Sequence, residues 1–281
     1  MAALYPLQWL ANQPVPEPEW PTRIQGFAFS PYHADQDAVA GDFPSVKQIE
    51  DDLVLLKDRT RSIRTYTTDG TIGEVPALAQ KHQIKVALGA WIDARFAHNA
   101  TEIERAIRLA RRHDNIIRLI VGNEVILRGD LPLSALTAYL DRVRTAVKQP
   151  VSTAEPWHVW LRHPELAEHV DYLAVHMLPY WEGISAEDSI AYIDDKVAEL
   201  EKAFPGKKIV LAEVGWPSNG RTREAAVASD ANEAMFLRRF LARAKQQGYV
   251  YYLMEAFDQP WKAQSEGSVG AYWGVWNVDH D

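Results

Sequence analysis

Short apolar runs alternate with helical patterns about eight times between residues 24 and 256, and this alternation restricts the chain to few folds. The runs predict strands at 24–30, 61–66, 84–91, 116–123, 150–154, 170–177, 208–213 and 249–256. Between them, apolar residues recur at three- and four-residue spacing. Ile49, Leu53 and Leu56 form one such face; Ile103, Ile107 and Ala110 form another. Leu136, Leu140 and Val143 make a third, and Phe236, Phe240 and Ala244 a fourth. Pro132 stands where a helix should start and Gly248 where one should stop. Repeated strand–helix units predict an α/β protein with a parallel sheet and helices outside it. At 281 residues the leading reading is a closed (β/α)8 TIM barrel. A doubly wound sheet is the alternative, but no Gly-x-Gly-x-x-Gly follows the first strand. About 25 residues follow the last strand, so the eighth helix should be short, missing, or outside this chain. Pro6, Pro14, Pro16 and Pro18 mark residues 1–22 as an extended lead-in to a catalytic barrel at 23–281.

Charge and composition then exclude several functions. The net charge of −8 argues against a nucleic-acid partner, which needs a basic surface. It leaves a neutral substrate such as a glucan open. There is no cysteine, so disulfides and thiolate catalysis are excluded. No apolar run approaches the length of a membrane span. The first ten residues lack the basic cluster and long apolar stretch of a signal peptide. A domain cut from a longer protein would read the same way. His158, His163, His169 and His176 match no metal-binding spacing, and no phosphate loop or serine nucleophile elbow is present. No metal or other cofactor is expected.

In a barrel of this kind the active site gathers at the carboxyl ends of the strands. Those ends carry Tyr32; Arg64 and Tyr66; Trp91; Asn123 and Glu124; Glu155, Trp157 and His158; His176, Tyr180 and Trp181; Glu213 and Trp216; and Glu255, Asp258, Trp261 and Lys262. Two of the carboxylates stand out. Glu124 closes the apolar run Ile116 to Asn123, and Glu213 follows Lys208 to Ala212. A buried strand does not normally end in a charge unless that charge is paired or used. Two carboxyl groups across a cleft can divide the work of glycoside cleavage. One gives a proton to the leaving oxygen; the other attacks the anomeric carbon or activates water. Arg64 or Lys262 could instead make them members of buried ion pairs. Glu155 and Glu255 read as supporting carboxylates. Trp91, Trp157, Trp181, Trp216 and Trp261 serve equally well as packing residues or as platforms for sugar rings.

Val121-Gly-Asn-Glu-Val125 and Leu211-Ala-Glu-Val-Gly-Trp-Pro-Ser218 resemble the two catalytic segments of glycoside hydrolase family 17. Gly26-Phe-Ala-Phe-Ser-Pro-Tyr32, Arg64-Thr-Tyr66 and Phe257-Asp-Gln-Pro-Trp-Lys262 fit the same pattern, and the resemblance runs over roughly residues 24–278. The family comprises retaining β-1,3-glucan and mixed-linkage glucan enzymes on (β/α)8 barrels. The resemblance implies Glu124 as acid/base, Glu213 as nucleophile, and Asn123 on the 2-hydroxyl of the reacting sugar. Plant members carry Asn where this chain has His176, and Tyr where it has Leu178. His176 or Tyr180 then becomes the expected partner of the nucleophile. Tyr32–Asp37 and Glu155–Trp160 look like the bacterial branch. That likeness implies attachment to a membrane-embedded glucan synthase, a periplasmic or other extracytoplasmic location, and transfer of glucan to a sugar acceptor. The expected partner is a β-1,3-gluco-oligosaccharide or β-glucan. Plain hydrolysis and a non-catalytic glucan-binding role are the alternatives.

Overall fold

The computed structural model describes residues 16–279, so most of the expected lead-in lies outside the described residues. Eight strands follow one another around a closed parallel barrel. They are β1 (Ile24–Ala28), β2 (Thr60–Arg64), β3 (Lys85–Ala90), β4 (Ile116–Asn123), β5 (Val151–Pro156), β6 (Tyr172–Met177), β7 (Lys208–Val214) and β8 (Val250–Leu253). Closure comes where β1 meets β8, with Phe27 opposite Leu253. The doubly wound alternative is thereby excluded.

The connecting helices are α1 (Val46–Leu56), α2 (Val75–Lys81), α3 (Phe96–Arg112), α4 (Leu133–Ala146), α5 (Trp157–Arg162), α6 (Ser189–Ala203), α7 (Asp230–Gln247) and α8 (Ala263–Glu266). Their expected apolar faces point at the barrel. Ile49, Leu53 and Leu56 are buried, as are Ile103 and Ala110, Leu136, Leu140 and Val143, and Phe236, Phe240 and Ala244. Local chemistry sets the helix limits. Ser45 and Gln48 close a capping box at the start of α1. Gly248 ends α7 at φ +73°, a conformation that only glycine adopts cheaply. The eighth helix is short, a four-residue turn.

Alternation along each strand splits the core in two. A small inner cluster of Ala87, Ile120, Ala154, Tyr172, Ala174, Val210, Ala212 and Tyr252 fills the barrel. The larger outer shell lies between strands and helices. β8 is shorter than expected because the chain leaves the sheet to meet the tail. Glu255 N donates to Trp273 O (2.7 Å), and Ala256 N donates to Ala28 O (3.0 Å). The tail residue Trp273 packs on Tyr180 and Trp181 at the end of β6.

Candidate active site

Glu124 is the first residue after β4. Its backbone is left-handed at φ +55°, following Gly122 at φ +89°. A non-glycine residue in that region costs about 1–3 kcal/mol, so its surroundings must impose it. They do so through several contacts. Glu124 N donates to Ala154 O (2.7 Å) on the neighbouring strand. Glu155 accepts from Ile126 N (2.8 Å) and Leu127 N (3.3 Å), pinning the turn that follows. Arg128 donates to the carbonyls of Asn123 and Ile92, and its guanidinium lies 4.5 Å over Trp91. Gly122 is needed for a second reason. A Cβ there would come within 2.7 Å of the Val125 side chain.

Glu213 lies near the end of β7, and a register shift in the β6–β7 ladder sets it opposite His176. Its Oε1 accepts from Arg64 Nη1 (2.9 Å) and from Tyr66 Oη (2.9 Å). Burial first, then the adjacent Glu213, holds the Tyr66 hydroxyl well above its ordinary pKa, so it remains a donor. Arg64 also donates to Ala212 O (2.8 Å) and to Asn123 Oδ1 (2.5 Å). One guanidinium therefore ties the β4 and β7 strand ends together. Gly215, two residues on, lets the strands close. A Cβ there would lie 2.0 Å from Met254 O.

His176 stands between the two glutamates. Its Nδ1 is 2.7 Å from Glu124 Oε1, and its Nε2 is 3.3 Å from Glu213 Oε1. One oxygen of each carboxylate lies within 4.8 Å of the other. The two differ in access. The Glu124 side chain is 26% exposed and that of Glu213 only 6%. Burial by itself would raise the pKa of Glu124. The hydrogen bond and charge of His176, with Arg128 and Arg64, outweigh it and hold this carboxyl below its ordinary value.

Other expected site residues separate into wall and foundation. Trp91, Trp157, His158, Trp181 and Trp261 keep part of their surface open at the rim, as do Tyr66, Asn123 and Asp258. Tyr32 is buried and packs edge-on against Trp261, supporting that ring from behind. Trp216 corrects an expectation. It is fully buried, packs at a 35° tilt against Phe236 and donates to Val227 O, so neither ring face can receive a sugar. Tyr180 is corrected likewise. Its hydroxyl donates to Arg221 O, so His176 and Tyr66 partner the glutamates instead. Arg64, Glu155, Glu255 and Lys262 are also buried, beneath the cleft floor rather than on its surface. Burial raises the Glu155 carboxyl to about 7 while it holds the Glu124 turn.

Lys262 Nζ meets Glu255 Oε1 at 2.5 Å with both side chains out of water. Burial opposes its charge, but Glu255 prevails and keeps the ammonium above its ordinary value. Glu255→Ala would strand that cation. It is expected to lower stability by about 3–5 kcal/mol, measured by urea unfolding. A loss under about 1 kcal/mol would show the pair to be dispensable.

Two positioning residues escaped the sequence reading. Arg128 follows the Glu124 turn and looks like a surface arginine. Glu102 lies inside α3, yet accepts from Thr67 Oγ1 (2.9 Å), Thr68 N (3.0 Å) and Trp91 N (3.0 Å), joining the β2 and β3 strand ends. The available signal was a charge on the buried face shared by Asn99, Ile103 and Ala106.

Residues 26–274 match the model of the BtgE/BtgC glycoside hydrolase domain family. The chain belongs to glycoside hydrolase family 17. It is 30% identical to a glucan 1,3-β-glucosidase of Schizosaccharomyces pombe, over 80% of this chain and 75% of that one. It is 26% identical to the cell surface mannoprotein MP65 of Candida albicans, covering 90% of this chain but only 66% of that protein. The chain thus spans just under two thirds of the Candida relative. Among solved structures, the family 17 β-1,3-glucanosyltransferase of Rhizomucor miehei superposes with a TM-score of 0.81 at 28% identity, covering 92% of this chain and 94% of that one. An active-site mutant of the Rhizomucor enzyme has been solved in complex with laminaritriose. Among the described residues, no helix is long and apolar enough to cross a membrane.

Proposed function

We propose that this family 17 domain is a retaining β-1,3-glucan transglycosylase, with Glu213 as nucleophile and Glu124 as acid/base. The observation that carries this reading is the approach of Glu124 and Glu213 to within 4.8 Å at the carboxyl rim of the barrel. Retaining glycosidases hold their carboxyl groups about 5–5.5 Å apart, whereas inverting ones leave about 6.5–9.5 Å for a water. In the first step Glu213 attacks C1 as Glu124 gives a proton to the departing oxygen. The C1–O bond breaks and a glycosyl ester forms on Glu213. In the second step Glu124 takes a proton from the acceptor hydroxyl. The acceptor oxygen bonds to C1, and the ester electron pair returns to Glu213. Arg64 and Tyr66 hold Glu213 still for attack. Arg64 also fixes the oxygen of Asn123, which turns its amide N–H toward the position proposed for the sugar 2-hydroxyl.

The Rhizomucor laminaritriose complex supports a β-1,3-gluco-oligosaccharide as substrate. A sugar acceptor is favoured by the partly open rings of Trp91, Trp157, Trp181 and Trp261 at the carboxyl rim that also carries Glu124. Well-oriented reactants reach effective molarities of about 10⁵–10⁸ M, far above that of water. The test is a time course with laminari-oligosaccharides at rising concentration, read by mass. Products longer than the donor are expected at millimolar concentration. Exclusive shortening throughout would make the protein a hydrolase, and no change at all would favour a glucan-binding role. The cell-surface relative supports an extracytoplasmic location. The proposal also includes a catalytic barrel at 23–281 carried by a longer chain of the bacterial, synthase-linked kind.

The open rings carry a second expectation. Trp181 leans on Trp273 with Arg223 over one face, and Trp261 is anchored by Gln259 through its indole N–H (2.7 Å). Trp181→Ala or Trp261→Ala is expected to weaken oligosaccharide binding roughly three- to tenfold, the scale of an aromatic contact worth about 0.5–1.5 kcal/mol. Calorimetry on a Glu213→Ala background would measure it. Unchanged affinity in both variants would make these rings packing residues.

A further inference from the structure

The imidazole between the glutamates does more than fill space. His176 is 2% exposed, and each of its ring nitrogens faces a carboxylate oxygen. Nδ1 meets Glu124 at 2.7 Å, within the range of a charge-assisted hydrogen bond. Nε2 faces both Glu213 Oε1 (3.3 Å) and Arg64 Nη1 (3.3 Å). A ring with one proton, on Nδ1, donates to Glu124 and accepts from Arg64. A ring with two protons donates to both glutamates. Either state places a proton on the line between Nδ1 and Glu124 Oε1. The charged and titratable groups around this line are Glu124 and Arg128 beyond β4, Glu213 on β7, Arg64 and Tyr66 at β2, Glu155 on β5, His158 on α5 and Glu266 on α8.

We propose that His176 is a positioning residue that shares one proton with Glu124, and that this sharing sets the pH at which the enzyme loses its general acid. The inference rests on the assignment of Glu124 as acid/base. In the free enzyme the ring is the imidazolium, with protons on Nδ1 and Nε2, and Glu124 is a carboxylate, in keeping with the low proton affinity that its neighbours impose. Loss of the Nδ1 proton leaves a neutral ring protonated on Nε2, beside Glu213. Entry of the sugar removes water from Glu124, the more exposed of the two glutamates. Desolvation disfavours the charge-separated pair, and the proton crosses the 2.7 Å bond to Glu124. It then passes to the leaving oxygen as the ester forms. In the second step Glu124 recovers a proton from the acceptor, and that proton returns to Nδ1 when the product leaves. The proton count closes over one cycle, with no other reactant.

Two coupled sites hold a shared proton to a higher pH than either holds it alone. His176→Asn is therefore expected to move the alkaline limb of kcat/KM for laminari-oligosaccharides to lower pH. At the wild-type optimum, activity on these substrates should fall by about tenfold or more, within the range contributed by general acids. The first step on an aryl laminaribioside with a good leaving group needs no acid, and should lose a clearly smaller factor than the oligosaccharides do. An unmoved alkaline limb, with both substrates losing the same factor, would overturn the inference and leave His176 a structural residue. A second measurement avoids reliance on that variant. In protein with ¹⁵N-labelled histidine, the Nδ1 proton of His176 should give a strongly downfield ¹H signal in wild type that moves upfield in Glu124→Gln, and an unmoved signal would also overturn it. Azide rescue of Glu124→Ala tests the acid/base assignment with His176 intact, so the two ideas fail separately.

Discussion

Glu213→Ala is expected to lose about 10⁴–10⁶-fold in turnover on every substrate, the scale seen when a covalent nucleophile is removed. The reason is positional. Glu213 is the carboxylate that Arg64 and Tyr66 hold by the same oxygen, at 2.9 Å each. Those two donors keep it aimed. An ionised carboxylate fixed under the sugar is what an ester-forming attack on C1 requires. Alanine leaves no nucleophile to form the ester. A good leaving group should not restore activity, because the missing step is the attack. The confirming measurement is mass spectrometry after treatment with a 2-deoxy-2-fluoro laminaribiosyl fluoride. Wild type should gain one glycosyl unit on the peptide containing Glu213, and the variant none. Labelling of Glu124 instead would exchange the two roles, and labelling of neither would remove the covalent mechanism.

Glu124→Ala should behave differently. Turnover of unactivated oligosaccharides is expected to fall by about 10²–10⁴-fold, the usual contribution of a general acid. Aryl glycosides that depart without a proton should still form the ester at close to the wild-type rate. The ester then accumulates, since no base activates the acceptor. Azide, which needs no base, should enter the vacated space and release a glycosyl azide of retained configuration. Equal loss on both substrate classes, with no azide product, would sink the acid/base role. The contrast between the variants follows from the asymmetry in the cleft. Glu213 is sealed in by β2 and β7, whereas Glu124 stands on a left-handed turn with one side open to an arriving hydroxyl.

A carboxylate that ends a buried apolar run must be paired or functional, because burial of an idle charge is too costly. Glu124 and Glu213 are such carboxylates, legible in the chain before its fold is known. Strand–helix alternation with buried helix faces likewise made a parallel α/β fold legible and a closed barrel the leading reading, while closure itself is decided where β1 meets β8. Both inferences rest on local periodicity and on the cost of dehydrating charge, which act on each segment wherever it sits. Which aromatic ring meets sugar and which only packs was not readable in this way. Trp216 and Trp181 each follow a strand end, yet the first is sealed between Phe236 and Tyr180 while the second stays partly open. That difference depends on α7 covering one ring and the tail around Trp273 only leaning on the other. The partner of the glutamates was equally undetermined. Tyr180 and His176 both lay within reach, and a register shift in the β6–β7 ladder placed His176 opposite Glu213. Arg128 looks like an ordinary surface charge along the chain, and Glu102 shows only as a charge on the buried face of α3, with nothing to say what it holds. They become supports of the site only because residues far apart in sequence are brought to one rim. The partners in such contacts carry no local pattern. They are decided by how eight strand ends converge, which is a property of the closed barrel and not of any single segment.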